Sequence, residues 1–323
     1  MTPFDISAVQ AVLPDTLPFP YFADRESPWL LAQRMEADAR VGELKRSPLA
    51  RWLDRPLVKP VVAHSGGVVR RADLEAVAYA DRGIEASASA AATAGLVAAY
   101  DIPWHDFELS FGWWGTGPYE HWAQMSRAGG NLVMQLGFPS DHAALMGRYL
   151  PSGTRKRFEY AAHPVRTTGR PTLAWARIDV DSETCTALVE EVQTDWLRFA
   201  ARQVEALETF DPRSRHLKSL RQYDAGLRAR YGKLWPKATL LAALAVLRDG
   251  LGIREVFMHQ PGPGQTLKRI SGQAPPVSLY SALPKSFGFE PTDSAPPFLQ
   301  RQRKRDLSRL RRGGAPIFWR LSL

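Results

Sequence analysis

The hydrophobic pattern changes character partway along the chain, and that change sets the expected architecture. Up to about residue 150 the apolar positions are irregular and broken by prolines. Ser27-Pro28 has the capping serine and first-turn proline of a helix start, with helical spacing continuing to about Arg40. Val58–Ala63 reads as a short strand stopped by His64-Ser65-Gly66-Gly67, and about Ala72 to Ala80 reads as a helix. Ala86–Tyr100, alanine-rich with few charges, reads as a buried helix. Trp104, Trp113, Trp114 and Trp122 follow, interleaved with Phe107, Phe111, Tyr119, His105 and His121. Gly112, Gly115 and Gly117 among them predict a loop, either over a satellite core or walling an aromatic pocket.

Asn131–Phe138 reads as a buried strand, and from about Arg155 strands dominate. Arg157–Val165, Thr172–Val180 and Thr186–Gln193 are successive candidates, the last two joined by a polar turn. Thr194 or Asp195 caps a helix from Trp196 to about Leu207. In Arg213–Lys237 the apolar Leu217, Leu220, Tyr223, Leu227 and Tyr231 step by three and four, giving an amphipathic helix with a basic outer face. Lys237–Arg248 is an apolar helix opened by Trp235-Pro236 and ended by Gly250 and Gly252, and Ile253–His259 is a strand. Gln260–Gly264 reads as a loop, Ser278–Lys285 as a helix, and Phe287–Glu290 and Pro316–Leu321 as strands. The expected fold is α/β (α+β). A helix- and aromatic-rich domain covers residues 1–150, and a mixed sheet with flanking helices covers 151–323.

Composition narrows the classes. The 323 residues are 45% hydrophobic and 23% charged, which is globular composition. No apolar run approaches the roughly 18 residues of a bilayer span, and the first residues lack a signal-peptide pattern. The expectation is a soluble, cytoplasmic protein with no membrane partner. The single cysteine, Cys185, excludes an internal disulfide and multi-cysteine metal sites, and no metal is expected.

The net charge of +9 hides an asymmetry: residues 1–212 hold 21 Lys+Arg against 27 Asp+Glu (−6), and residues 213–323 hold 21 against 6 (+15). Arg213–Lys237 and Arg301–Arg312 carry most of the excess. Such a surface suits a phosphate-bearing small molecule or nucleic acid; a solvated helix face accounts for either segment taken singly. No helix-turn-helix, RNP or zinc-finger pattern accompanies it.

Glu191, Gln193 and Asp195 alternate along one strand end and point to one face if the strand stays extended. Two carboxylates and an amide at such an end suit acid/base work or binding of a substrate amine. A structural reading stands beside it: Asp195 caps the following helix, Gln193 bonds backbone and Glu191 pairs with an arginine. His259 closes its strand where a base is useful near neutral pH, and Lys237 can hold a phosphate as a point charge.

The strings Leu173-Ala174-Trp175-Ala176-Arg177-Ile178 and Glu190-Glu191-Val192-Gln193-Thr194-Asp195-Trp196 resemble the "EEIQSDW"-type domain of phage and mobile-element polyvalent proteins, a likeness covering about residues 155–290. Trp175 stands where that family tends to have histidine. A looser resemblance is to GNAT acyltransferases, carried by Leu279-Tyr280 leading to Phe287-Gly288-Phe289. It implies a GNAT-like sheet, acyl-CoA as co-substrate, and Tyr280 as general acid on the leaving thiolate. Arg248-Asp249-Gly250-Leu251-Gly252 reads as a helix C-cap, not as that superfamily's pyrophosphate signature. The resulting expectation is acyl transfer to an amine, with Glu191, Asp195, His259 and Tyr280 as catalytic candidates and Lys237 and Gln193 as donor-binding candidates. The alternative is a non-enzymatic nucleic-acid-binding protein of phage or mobile-element type.

Overall fold

The computed structural model describes residues 1–80, 87–98, 102–116, 124–159, 163–166, 168–270 and 276–323. Tyr119, His121 and Trp122 of the aromatic run, the ends of the expected Ala86–Tyr100 helix, and residues 160–162 of an expected strand lie outside them. The chain divides into two compact units, residues 20–106 and residues 1–19 with 107–322. The expected boundary near residue 150 is therefore not where it divides. The strand at Asn131–Gly137 pairs with the one at Thr172–Asp181, and that ladder ties residues 107–149 to the later sheet.

The chain opens with α1 (Pro3–Val12), whose Thr2 and Asp5 form a reciprocal capping box, and β1 (Thr16–Phe22). The smaller unit then carries α2 (Glu26–Arg34), β2 (Ala39–Arg40), α3 (Val41–Lys45), α4 (Ala50–Leu53), α5 (Lys59–Ala63), β3 (Val68–Val69), α6 (Arg71–Ala78) and α7 (Ala88–Ala98). Its core gathers Trp29, Leu30, Leu31, Trp52, Leu74 and Val77, and the Trp29 indole donates to the Tyr79 hydroxyl at 2.8 Å. Three expectations fail here. Ser27 lies inside α2, its hydroxyl donating to Asp24, and the helix ends at Arg34. Val58–Ala63 is helical, because Pro60 sits in the first turn, where its missing N–H costs nothing. The α7 segment is helical as expected but buries only Ala90 and Thr93 among the side chains described.

The larger unit is built on an eight-stranded sheet. Its further strands are β4 (Trp104–Trp114), β5 (Asn131–Gly137), β6 (Thr172–Asp181), β7 (Thr186–Gln193), β8 (Glu255–His259), β9 (Glu290–Thr292) and β10 (Phe318–Ser322). Their order is β1-β4-β5-β6-β7-β8-β10-β9. β4 to β7 form an antiparallel meander, β7 and β8 are parallel, and β10 returns between β8 and β9, antiparallel to both. The tryptophan-rich segment is thus a strand, not a loop: Gly112 sits opposite Val133 in a regular ladder. Arg157–Val165 is not a strand in its described part, which holds a short helix at Arg155–Phe158.

Between β5 and β6 lie α8 (His142–Tyr149) and α9 (Arg155–Phe158). The parallel β7–β8 connection runs through α10 (Asp195–Phe210), α11 (Leu217–Tyr231) and α12 (Trp235–Ala245), the last ending in a π turn, Val246–Gly250. The expected three- and four-step apolar stripe of α11 is the buried one: Leu217, Leu220, Tyr223, Leu227 and Tyr231. After β8 come α13 (Pro261–Lys268) and α14 (Val277–Ser286), and after β9 come α15 (Pro297–Gln302) and α16 (Lys304–Arg311). The expected Gln260–Gly264 loop is the first turn of α13. Pro261 occupies the first helical position, and Pro263 still falls within the turn whose N–H groups need no partner.

One sheet face carries Leu188, Phe257 and Phe318 against Leu267, Phe298, Leu299 and Leu307 of α13, α15 and α16. On the other, Trp319 donates its indole N–H to the Tyr280 carbonyl of α14, which packs on α12. Among the described residues no helix is long and apolar enough to cross a membrane.

Candidate functional site

The site begins with an extra residue in β7. Arg177 of β6 pairs with Glu191 and Ile178 pairs with Val189, so Glu190 is a β-bulge facing no partner residue. The parallel ladder to β8 ends nearby, at Val189 and Met258. Past that point two side chains serve the β7 backbone in place of a strand. The Lys268 amine donates to the Glu190 carbonyl at 3.0 Å, and the Val192 N–H donates to the Tyr280 hydroxyl at 3.4 Å.

The bulge turns the Glu190 side chain into the interior. One carboxylate oxygen accepts the Ser126 N–H at 2.9 Å, and the other accepts the Ser126 hydroxyl at 2.9 Å and lies 3.0 Å from His259 Nε2. Glu190, Ser126 and His259 are all buried. Burial pushes the Glu190 carboxyl up, but the His259 bond and the charges of Lys268 and Arg177 outweigh it and hold the group at about 2. Burial also lowers His259 below the usual imidazole range, and Nδ1 has no partner among the described residues. Although serine, histidine and carboxylate meet here, this is not a nucleophile's relay. The serine and the carboxylate share one ring nitrogen, whereas a relay needs them on opposite nitrogens. His259 acts as a pin between β7, β8 and the segment at Ser126.

That segment is held at three points. Ser126 is on Glu190, Arg127 is forked onto buried Asp179 at 2.7 and 2.8 Å, and the Gln124 carbonyl accepts from Arg177 at 3.1 Å. Arg177 also makes two bonds, 2.6 and 3.1 Å, to one Glu191 oxygen, with Trp114 beneath its guanidinium at 5.4 Å. Burial raises the Glu191 carboxyl, yet Arg177 and Lys268 together bring it below its ordinary value. Its side chain keeps 19% exposure, so this carboxylate reaches the edge of the buried layer.

Asp195 anchors the next cluster. It is the first residue of α10, where the helix dipole favours an anion, and Thr194 is the cap. Its oxygens take the Trp175 indole N–H at 2.8 Å, the Gln193 amide at 2.7 Å and Arg198 at 2.7 Å. His163 Nδ1 stands 2.9 Å from this carboxylate and 2.9 Å from the Gln193 amide nitrogen. Burial raises this carboxyl too, but the His163 and Trp175 bonds prevail and hold it at about 2. His163 is 30% exposed and sits edge-on to Trp175. Carboxylate and imidazole form a dyad in which the acid orients the ring.

Of the six sequence candidates, the fold brings Glu191, Gln193, Asp195 and Tyr280 around the end of β7 and seals His259 beneath it. Lys237 stands half-buried at the third position of α12, and none of the bonds of Glu190, Glu191 or Asp195 described above comes from it. Sequence reading missed Ser126, His163, Arg177, Glu190 and Lys268. One signal was present: adjacent Glu190 and Glu191 in an apolar strand cannot both face outward unless the pleat slips by one residue.

The Thr194 hydroxyl accepts the Leu197 N–H at the N-terminus of α10, and the Asp195 carboxylate already places a negative charge there, so a second anion would meet like charge. No His/Cys/Asp/Glu group suited to a metal ion is found among the described residues. Searches for likeness to known proteins found no matching family model, no matching curated protein and no matching solved structure.

Proposed function

We propose that this chain is a group-transfer enzyme moving an activated acyl group to an amine at the end of β7. The observation that carries the reading is the convergence there of an oriented imidazole, an ionised carboxylate and a protonated phenol. His163, held by Asp195, takes the proton as the amine nitrogen attacks the acyl carbon. Glu191, kept ionised by Arg177, suits an ammonium or polar amine substrate better than it suits proton removal, since a base needs a pKa near the working pH. Tyr280 is fully buried, and burial raises its phenol well above the usual range, so it stays protonated. Its oxygen accepts from Val192, leaving its own hydrogen for the leaving group as the acyl–donor bond breaks. The strand order supports the reading as well. A four-strand meander is followed by a parallel strand and by a final strand inserted before the edge, a mixed sheet that opens at the end of β7 where these groups lie. The donor is an activated acyl compound whose phosphates, if present, do not rest on α10.

The test is product detection by mass spectrometry with acetyl-CoA and acetyl phosphate as donors against a panel of amines. His163→Gln and Tyr280→Phe should each lower turnover by about 10²-fold or more while the circular dichroism stays unchanged. No transfer from either donor, or undiminished transfer in both variants, overturns the assignment.

A second reading rests on α16, where Lys304, Arg305, Arg309 and Arg311 are exposed. These cations suit a nucleic-acid backbone. On that reading, duplex DNA affinity falls with salt by a log–log slope of about −0.9 per phosphate contact. Binding that is absent at low salt removes it.

A further inference from the structure

A cavity of about 420 Å³ lies where the segment at Tyr149–Phe158 meets α10 and α11, and none of the groups assigned to the proposed reaction lines it. Phe158, Phe199 and Leu207 give it an apolar wall. Ser152 and His216, also in its lining, are exposed, so it opens to solvent. About 150 Å³ is enough to hold a benzene ring, so one aromatic side chain fits with room to spare. Arg157 is the one permanent charge in the lining, and no carboxylate joins it. Its guanidinium is exposed and makes no hydrogen bond or ion pair among the described residues.

The same helix carries a matching projection. Phe199, Gln203 and Leu207 line the cavity at steps of four, and Phe210, three further on, continues that stripe as the last residue of α10. Phe210 is 86% exposed, the most exposed large hydrophobic side chain among the described residues. Its neighbour Asp211 is exposed as well, and that carboxylate has no partner among the described residues. The carbonyl end of α10 adds partial negative charge beside it. An aromatic ring next to a negative charge thus stands near a cavity whose apolar wall adjoins a positive one. Within one copy the two do not meet: Phe210 lies about 10 Å along the helix axis from Gln203 and does not line the cavity.

We infer that two copies of this chain associate about a two-fold axis, α10 antiparallel to its counterpart, each Phe210 seated in the other copy's cavity and each Asp211 on the other's Arg157. Such a contact is self-complementary and closes at two copies. An axis crossing α10 between Ala206 and Leu207 sets residue 210 of each copy beside residue 203 of the other. A second copy is favoured over a different partner because this chain supplies both halves of the contact. The interface is small. An aromatic side chain buries about 150–250 Å², so two rings place it at the weak end of specific interfaces. Arg213 and Arg215, exposed just beyond Asp211, add like charge to both copies and weaken it further.

Sedimentation velocity of the full chain at about 0.15 M salt tests this. A dimer should form with a Kd of about 100 μM, dominant near about 0.5 mM and minor near about 5 μM. Phe210→Ala, which removes a side chain the fold does not bury, should weaken it by more than about 10²-fold, since each dimer loses two seated rings. Ser219→Trp, which fills the cavity, should do the same. Arg157→Asp and Asp211→Arg should each weaken it at least about tenfold, and the two together should restore it. A chain that is monomeric at about 0.5 mM overturns the proposal. So do larger open assemblies, a dimer indifferent to Phe210→Ala, or a double substitution that fails to restore association.

Discussion

Replacing Glu190 by glutamine keeps the shape of the side chain and removes its charge from the most enclosed carboxylate of β7. Three donors converge on that carboxylate: the Ser126 N–H, the Ser126 hydroxyl and His259 Nε2, at 2.9, 2.9 and 3.0 Å. Glutamine offers one carbonyl oxygen and sets an NH2 against groups that are themselves donors. A hydrogen bond to a charged group contributes about 1.5–3 kcal/mol, and breaking a buried charged pair costs about 3–5 kcal/mol. The losses overlap, because Ser126 contributes two of the bonds and Glu190 and His259 are solvent-inaccessible or nearly so. The expected cost is therefore about 4 kcal/mol, a fall in Tm of about 10 °C for a unit of this size. Thermal unfolding followed by circular dichroism measures it. Amide exchange at Ser126 localises it, since that N–H loses its acceptor. A Ser126→Ala, Glu190→Gln cycle should show coupling of about 1–2 kcal/mol. A loss below about 1 kcal/mol, or strict additivity with Ser126→Ala, would show that the bulge is held by something other than this network.

Two further predictions concern acid and packing. His142 titrates at about 4 in the folded chain against 6.5 when unfolded, so the unfolded state binds more protons between those values. Stability is full above pH 6.5 and falls by about 3 kcal/mol as pH drops to 4, and His142→Phe should flatten that limb in urea titrations taken at each pH. The carboxylates of Glu190 and Asp195, both held at about 2, add a separate loss that starts below their ordinary pKa values and runs down toward pH 2. At Gly264 an added Cβ would sit 2.8 Å from the His259 Cβ, so Gly264→Ala forces α13 away from β8. It should cost about 1–3 kcal/mol in chemical denaturation even though alanine is the better helix former; a stabilised variant would contradict the close approach.

The elements legible in the sequence were those whose period was clean: β5, β6 and β7, the capped α10, the stripe of α11 and the apolar α12. Gly112 within β4 and Pro261 in α13 read as breakers, yet each occupies a position its element tolerates, a ladder interior or a first turn. Val58–Ala63 fails the other way: it reads as a strand across Pro60, which instead sits in the first turn of α5. At the site, Glu191 and Gln193 alternate on one face of β7 as read, whereas the strand stops there and Asp195 opens α10, bonded to the Gln193 amide. Alternation passed over Glu190 because it assumes an unbroken pleat, and the bulge resets the phase at that residue. Ser126, His163 and Lys268 reach the site from segments 27 or more residues away from Glu190 or Glu191 in the chain, and no local pattern announces them. The Arg177–Glu191 pair was foreseen in type, an arginine for the glutamate, but not in identity.

The placement of β10 has a consequence for how the chain is made. β8 emerges from the ribosome about sixty residues before the strand that flanks it, and β9 about thirty before (5–20 residues per second during synthesis). Both edges stay open for some seconds, with Val256, Phe257 and Met258 on a strand lacking its neighbour. Within that interval a nascent chain can pair with another copy through the vacant lane. Synthesis pausing within residues 293–317 should therefore raise the yield of entangled dimers.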